Sequence, residues 1–153
     1  SLEVSFSLCT YLNNYAFAYC LSLQSVDFPV CTRIEAYGFY RCSLLTTISF
    51  PLCGYIGNNA FESCSSIQSM VLPKCSYIGT SAFKACHSLS RMVLLSTGVV
   101  QLANVGAFTL TPMSTTSYLG YYGSIYVPSS LVDAYKVANN WSAYADRITA
   151  YVE

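Results

Sequence analysis

A chain of 153 residues with 54% hydrophobic and only 9% charged side chains is long and apolar enough for one domain with a sizeable core. Fourteen tyrosines and eight phenylalanines exclude disorder, which needs few aromatics and a high net charge. Seven basic residues balance seven acidic ones, and Arg33, Arg41, Lys74, Lys84, Arg91, Lys136 and Arg147 are scattered, so there is no basic patch to displace counterions from a nucleic acid.

The first element, Ser1-Leu2-Glu3-Val4-Ser5-Phe6, already stands inside a repeating unit. No initiator Met precedes it, and no signal peptide with a basic start and apolar middle. The chain therefore reads as a piece of something longer. Its eight cysteines, Cys9, Cys20, Cys31, Cys42, Cys53, Cys64, Cys75 and Cys86, are each 11 residues from the next, so two per unit give a period of 22. The same period carries Phe17, Phe39, Phe61 and Phe83, with Phe108 continuing the column after an insertion. Leu12, Ile34, Ile56 and Ile78 obey it, as do Val4, Val26, Ile48, Met70 and Met92, and Phe6, Phe28, Phe50, Leu72 and Leu94.

A unit such as Leu23-x-x-Val26-x-Phe28-Pro29-x-Cys31 matches the leucine-rich-repeat pattern L-x-x-L-x-L-x-x-N/C. Val26 and Phe28 alternate as a strand with one buried face does. Pro29, Pro51 and Pro73 end the strands, because proline cannot donate to a sheet ladder. The rest of each coil returns through a tight turn or short 3-10 segment carrying the Ala-Phe pair. Each coil leaves an apolar face that only its neighbour covers, so stability comes from stacking. The spacing predicts a right-handed β-solenoid of about six coils.

The signature Ile-Gly-x-x-Ala-Phe-x-x-Cys stands unbroken at 56–64 and 78–86, and in it the chain resembles the BspA-like, treponemal-type leucine-rich repeats. The resemblance covers four full repeats, a degenerate fifth and the C-terminal segment. It implies bacterial or protist surface proteins, often adhesion-related, and so an extracellular or cell-surface location.

The fifth unit departs from the pattern: Thr97 takes the first Cys column and Thr111 the second. The insert 109–123, rich in Ser, Thr, Tyr and Gly, reads as a surface loop. A last strand, Ser124 to Pro128, restores the motif and closes the repeat region, 1–128. In the remaining segment, 129–153, Ser130 and Asp133 form a Ser-x-x-Asp helix start, and Leu131, Ala134, Tyr135 and Ala138 make an apolar stripe. Trp141, Tyr144 and Ile148 are placed to pack on the final coil, so this segment is read as a helical cap. At the other end the uncapped first coil is expected to be exposed or paired with another copy.

The stretch 92–132 carries no charge, but every window of about 20 residues in it holds several Gly, Ser, Thr, Asn or Gln, so it is not a spanning helix. An even count of cysteines suggests disulfides. Thiols in register on stacked coils, however, point the same way rather than at one another, and as small polarizable groups they suit core columns. The two Cys ladders are therefore read as free and buried. Zinc sites use Cys pairs two to four residues apart, which this chain lacks, and no metal or other cofactor is expected. His87 is read as a surface residue. Glu3 and Asp27 are the carboxylates that share a sheet face, a weak basis for glycosidic chemistry, and the chain is read as no enzyme. Tyr11, Tyr55 and Tyr77 share a column with Arg33, read as an aromatic ladder in preference to a sugar-stacking strip.

The leading functional reading is a recognition or adhesion module that binds a protein or glycan across the strand face. The ligand-contacting positions are Glu3, Asp27, Thr47, Ser49, Ser69, Val71, Arg91, Val93 and Tyr126, which flank the buried residue of each strand. The alternatives are a structural spacer within a larger surface protein and, more distantly, the targeting arm of an enzyme.

Overall fold

A computed structural model describes residues 2–114 and 122–153. Each coil begins with a strand: β1 (Leu2–Ser5), β3 (Leu23–Asp27), β5 (Thr47–Ser49), β7 (Ser69–Leu72), β9 (Arg91–Leu94) and β11 (Ser124–Val127). Every pairing among them is parallel, with β1-β3-β5 in one sheet and β7-β9-β11 in another. The strands stop before Pro29, Pro51 and Pro73 as the sequence demands.

Two residues after each first-column cysteine, a second short strand forms that periodicity alone did not reveal. β2 (Tyr11–Leu12), β4 (Arg33–Ile34), β6 (Tyr55–Ile56), β8 (Tyr77–Ile78) and β10 (Gln101–Leu102) make a five-stranded parallel sheet on the flank of the solenoid. Runs of two residues are too short to carry an alternation signal. Gly57 enables the close approach here: a Cβ on it would lie 2.7 Å from Ala36 N and from the Glu35 carbonyl carbon.

The return turn supplies a third ladder through backbone geometry. The residue before each Ala/Gly-Phe pair has positive φ (Tyr15 58°, Tyr37 60°, Asn59 58°, Ser81 55°). So does the residue before each second-column position (Tyr19 61°, Arg41 59°, Ser63 62°, Ala85 58°, Leu110 59°). Alternating left- and right-handed residues aim every other N–H along the solenoid axis. Tyr37 donates to Asn58 O at 2.9 Å, Phe39 to Ala60 O at 2.7 Å and Arg41 to Glu62 O at 2.9 Å. A non-glycine residue in this region costs about 1–2 kcal/mol, which the inter-coil bonds offset.

The core is built from in-register columns. Phe17, Phe39, Phe61, Phe83 and Phe108 stack with nearly parallel rings at centroid distances of 5.3, 5.2, 5.5 and 5.6 Å. Cys31, Cys42, Cys53, Cys64, Cys75 and Cys86 are free and buried. Cys9, Cys20 and Phe17, on the first coil, are only half-buried. The second-column thiols bridge coils: Cys42 donates to Phe17 O at 3.1 Å, Cys64 to Phe39 O at 3.0 Å and Cys86 to Phe61 O at 3.0 Å. The first-column thiols stay local, as with Cys53 donating to Tyr55 O at 3.3 Å. On the open side of the first coil Leu2 and Phe6 are each 50% exposed and Leu8 88%.

In the fifth coil two added residues before β10 shift the register from 22 to 24, since Gln101 pairs with Tyr77. Thr97 consequently does not take the cysteine column. It is exposed, and Val100 is the buried residue ahead of β10. Thr111 does fill the second column; its hydroxyl donates to Phe108 O at 2.7 Å, within its own coil. The insert 109–123 is not simply a surface loop: Thr111, Pro112 and Met113 are buried, and Gly123 N donates to Pro112 O at 2.7 Å. Residues 115–121 of it lie outside the described residues.

The segment after Pro128 covers the last coil. A 3-10 turn (Ser129–Leu131) leads into α1 (Val132–Val137), and a longer 3-10 segment (Trp141–Arg147) leads into β12 (Ile148–Ala150), which pairs with β11. The Ser130 capping box does not form, because the 3-10 turn moves the helix start to Val132, with no side-chain cap on Leu131. Ala134 is exposed; Tyr135 is buried, while Leu131, Val132 and Ala138 pack against the core. Trp141 and Tyr144 close over Phe108, at 6.0 and 5.4 Å between ring centroids. The same segment satisfies the last coil's backbone. Val100 N donates to Tyr135 Oη at 3.0 Å, Trp141 Nε1 to Val100 O at 2.6 Å, and Asn140 Nδ2 to Leu102 O at 2.7 Å.

Candidate functional site

Register places the predicted ligand-contacting positions in rows across the strands. One row runs Glu3, Ser25, Thr47 and another Ser5, Asp27, Ser49, so Glu3 and Asp27 sit on adjacent strands but not level with each other. Both are exposed, and Ser5 Oγ donates to Asp27 Oδ2 at 3.5 Å. Thr47 is exposed and Ser49 half-buried. This half of the face is hydroxyl and carboxylate, with no cleft of its own among those described below.

The other half is where the side chains converge. Ser69, Arg91 and Ser124 form one row, and Val71, Val93 and Tyr126 the next. Arg91 Nη1 donates to Ser69 Oγ at 3.4 Å, and its guanidinium carbon lies 5.4 Å from the centroid of the Tyr126 ring. Val71 is 45% exposed and Tyr126 half-buried. Val93 is the exception to the sequence reading: it is fully buried yet outside the core cluster. It lies on the outer face, level with Val71 and Tyr126, and these flanking side chains leave it the floor of the patch rather than a contact position.

A cleft of about 360 Å³ borders this patch, lined by Gln68, His87, Ser88, Ser90, Pro112 and Tyr122. Gln68 and Ser90 immediately precede Ser69 and Arg91, so cleft and strand face adjoin. Tyr122 is 67% exposed, and the Arg147 guanidinium sits 4.3 Å from its ring centroid. His87 is exposed, as expected, with Nδ1 3.2 Å from Leu110 O. The sequence reading missed this cleft, since Tyr122 belongs to the insert, which the 22-residue period does not place. The uncharged, Tyr-rich character of that insert was the one available signal.

The flank column forms the ladder expected of it. Tyr55 and Tyr77 stack at 4.8 Å and 5°, and the Arg33 guanidinium lies 3.6 Å over the Tyr55 ring. Glu35 organises its end by accepting from Arg33 and, at 2.9 Å, from the Tyr11 hydroxyl. Partial burial disfavours the Glu35 charge, but the Arg33 and Tyr11 bonds outweigh it and hold the carboxyl below its usual range. The bond to Glu35 in turn raises Tyr11 and Arg33.

Three of the buried thiols, Cys53, Cys75 and Cys86, are chemically quiet. Burial pushes Cys53 and Cys75 up to about 12, and Cys86 further still. A thiol held neutral is a poor nucleophile and a poor metal ligand. Among the described residues no three His, Cys, Asp or Glu side chains are grouped to hold a metal ion. Among the same residues, no helix is long and apolar enough to cross a membrane.

Stacked parallel strands, in-register columns and a terminal lid define a leucine-rich-repeat solenoid. Residues 4–120 match the BspA type leucine rich repeat region in six copies, and the chain belongs to that family. No curated protein matches it. Its fold is similar to that of a leucine-rich repeat protein from Bacteroides ovatus, at 22% identity and a TM-score of 0.68, over 98% of this chain and 36% of that one. It is also similar to the T. pallidum leucine rich repeat protein, at 22% identity and a TM-score of 0.64, over 84% of this chain and 60% of that one. This chain thus spans about a third and three fifths of the lengths of those two proteins.

Proposed function

We propose that this repeat module is the recognition part of a surface protein, and that it binds a protein or glycan partner without chemistry of its own. The surface location rests on the family. The observation that carries the binding reading is the patch of Arg91 on Tyr126, flanked by Ser69 and Val71 and floored by Val93. Arg and Tyr most often dominate interface energies, and here each holds the other in place. Val71 adds exposed apolar surface, and the adjoining cleft gives a partner a concavity to enter.

The test is a double variant, Arg91→Glu with Tyr126→Ala, assayed against immobilised extracellular-matrix glycoproteins. A hot spot shows as a loss of roughly 2 kcal/mol or more, with circular dichroism unchanged. The comparison is Tyr55→Ala with Tyr77→Ala on the flank. Binding lost in the flank pair and kept in the strand-face pair would move the site to the tyrosine ladder. No binding by the unaltered chain would favour the spacer reading.

A further inference from the structure

The repeat contains its own control for side-chain choice at the return turn. All four early coils place residues at the same two positive-φ positions, with φ between 55° and 62°. Coils three and four use Asn59, Ser63, Ser81 and Ala85 there, so the backbone needs nothing larger. Coils one and two use Tyr15, Tyr19, Tyr37 and Arg41. A bulky residue is less at ease in the left-handed region than Asn, so these choices work against the local backbone.

The bulky set is also a surface cluster rather than core. Tyr15 and Tyr37 stack at 4.8 Å and 2°. Tyr40 meets Tyr37 and Tyr19 edge-on, at 5.3 Å each. The Arg41 guanidinium spans the Tyr40 and Tyr19 rings, at 5.5 and 6.0 Å from their centroids. Tyr15 and Tyr19 are each 57% exposed, Arg41 is exposed, and none of the five packs against the hydrophobic core. On the same edge one coil further along, Glu62 is neutralised by Lys84 at 3.9 Å. Among the described residues, Arg41 has no carboxylate within ion-pair distance.

From this we infer a second binding surface, on the return-turn edge of the first two coils, for an acidic saccharide. Tyrosine faces carry partial negative charge and take the C–H face of a sugar ring. Arg41, exposed beside two ring faces rather than paired with a carboxylate, offers its guanidinium N–H groups for a bidentate bond to a uronate or similar carboxylate. A peptide partner is the weaker fit, because none of these five side chains lines one of the five clefts of the described residues that would take a peptide side chain. The surface is separate from the Arg91–Tyr126 patch and stands whether or not that patch binds anything.

The experiment is calorimetric titration of the whole chain with a hyaluronan hexasaccharide, and with the same oligosaccharide after carboxyl reduction. The unaltered chain should prefer the acidic form by about tenfold or more. Arg41→Ser borrows the residue that coil three carries at this position, so the fold is kept, and the preference should vanish. Tyr19→Ser with Tyr37→Asn, borrowed from the same coil, should abolish binding of both sugars. Arg91→Glu with Tyr126→Ala should leave this binding unchanged. The inference is overturned if the unaltered chain binds neither sugar, or if the acidic preference survives Arg41→Ser. It is equally overturned if binding is lost only in the strand-face variant, or if an oligoglutamate peptide binds the edge where the sugar does not.

Discussion

Raising the pH should unfold this protein early, through its cysteine columns. Cys53 and Cys75 are fully buried, and burial raises both thiols from an ordinary 9.0 to about 12; Cys86 is raised further by the same cause. The folded state therefore holds these protons more tightly than the unfolded chain does. Stability from them is fully present below about pH 9 and is lost as pH rises toward the folded-state values. Between pH 8 and pH 10 each such thiol removes about 1.3 kcal/mol, so the three together remove about 4 kcal/mol. That is a large part of the roughly 5–15 kcal/mol that holds a domain folded. Thermal melts followed by far-UV circular dichroism in reductant should show Tm falling by about 8–16 °C over that interval. Cys64, raised by burial and by its contact with Cys42, acts in the same sense, while Cys42, lowered by that same contact, acts against it. Replacing Cys53→Ala with Cys75→Ala should lower stability at neutral pH yet cut the alkaline slope by about half or more. A flat profile between pH 8 and pH 10, or an undiminished slope in the double variant, would refute the idea that these columns are buried neutral thiols.

Other consequences can be checked with simpler measurements. Alkylation of the denatured chain without reductant should modify all eight cysteines by intact mass, and four bridges would overturn the packing of the ladders. Ala85→Gly should raise stability by about 0.5–1 kcal/mol in urea melts, because Ala85 occupies the left-handed region at φ 58° and glycine does so without strain. Trp141→Ala should cost about 3–5 kcal/mol and increase dye binding to exposed apolar surface. That variant uncovers Phe108 and removes the bond to Val100 O. Deleting 129–153 altogether should make the chain aggregate, and a soluble, cooperatively melting deletion would show that the segment is no lid.

The sequence carried the coil period, the identity of the buried columns, the proline strand ends and the aromatic lid. All of these follow from one local rule: a coil that cannot bury its apolar face alone must repeat it at a constant interval. It also placed Arg91 and Tyr126 on one face, since side chains alternate along a strand whatever lies beside it. The strand-face chemistry was less legible. Val93 reads as an outward residue by alternation and becomes a floor only because Val71 and Tyr126 stand level with it on neighbouring strands. The flank sheet of two-residue strands, the positive-φ columns at Tyr15 and Tyr19, and the burial of Pro112 and Met113 left no periodic trace either. Each depends on which residue of the next coil lies alongside. The two added residues before Gln101 show how that is decided, moving Thr97 out to solvent and leaving Val100 as the buried residue ahead of the strand. Composition and period determine that the coils stack; only the stacked register determines which side chains meet on the surface.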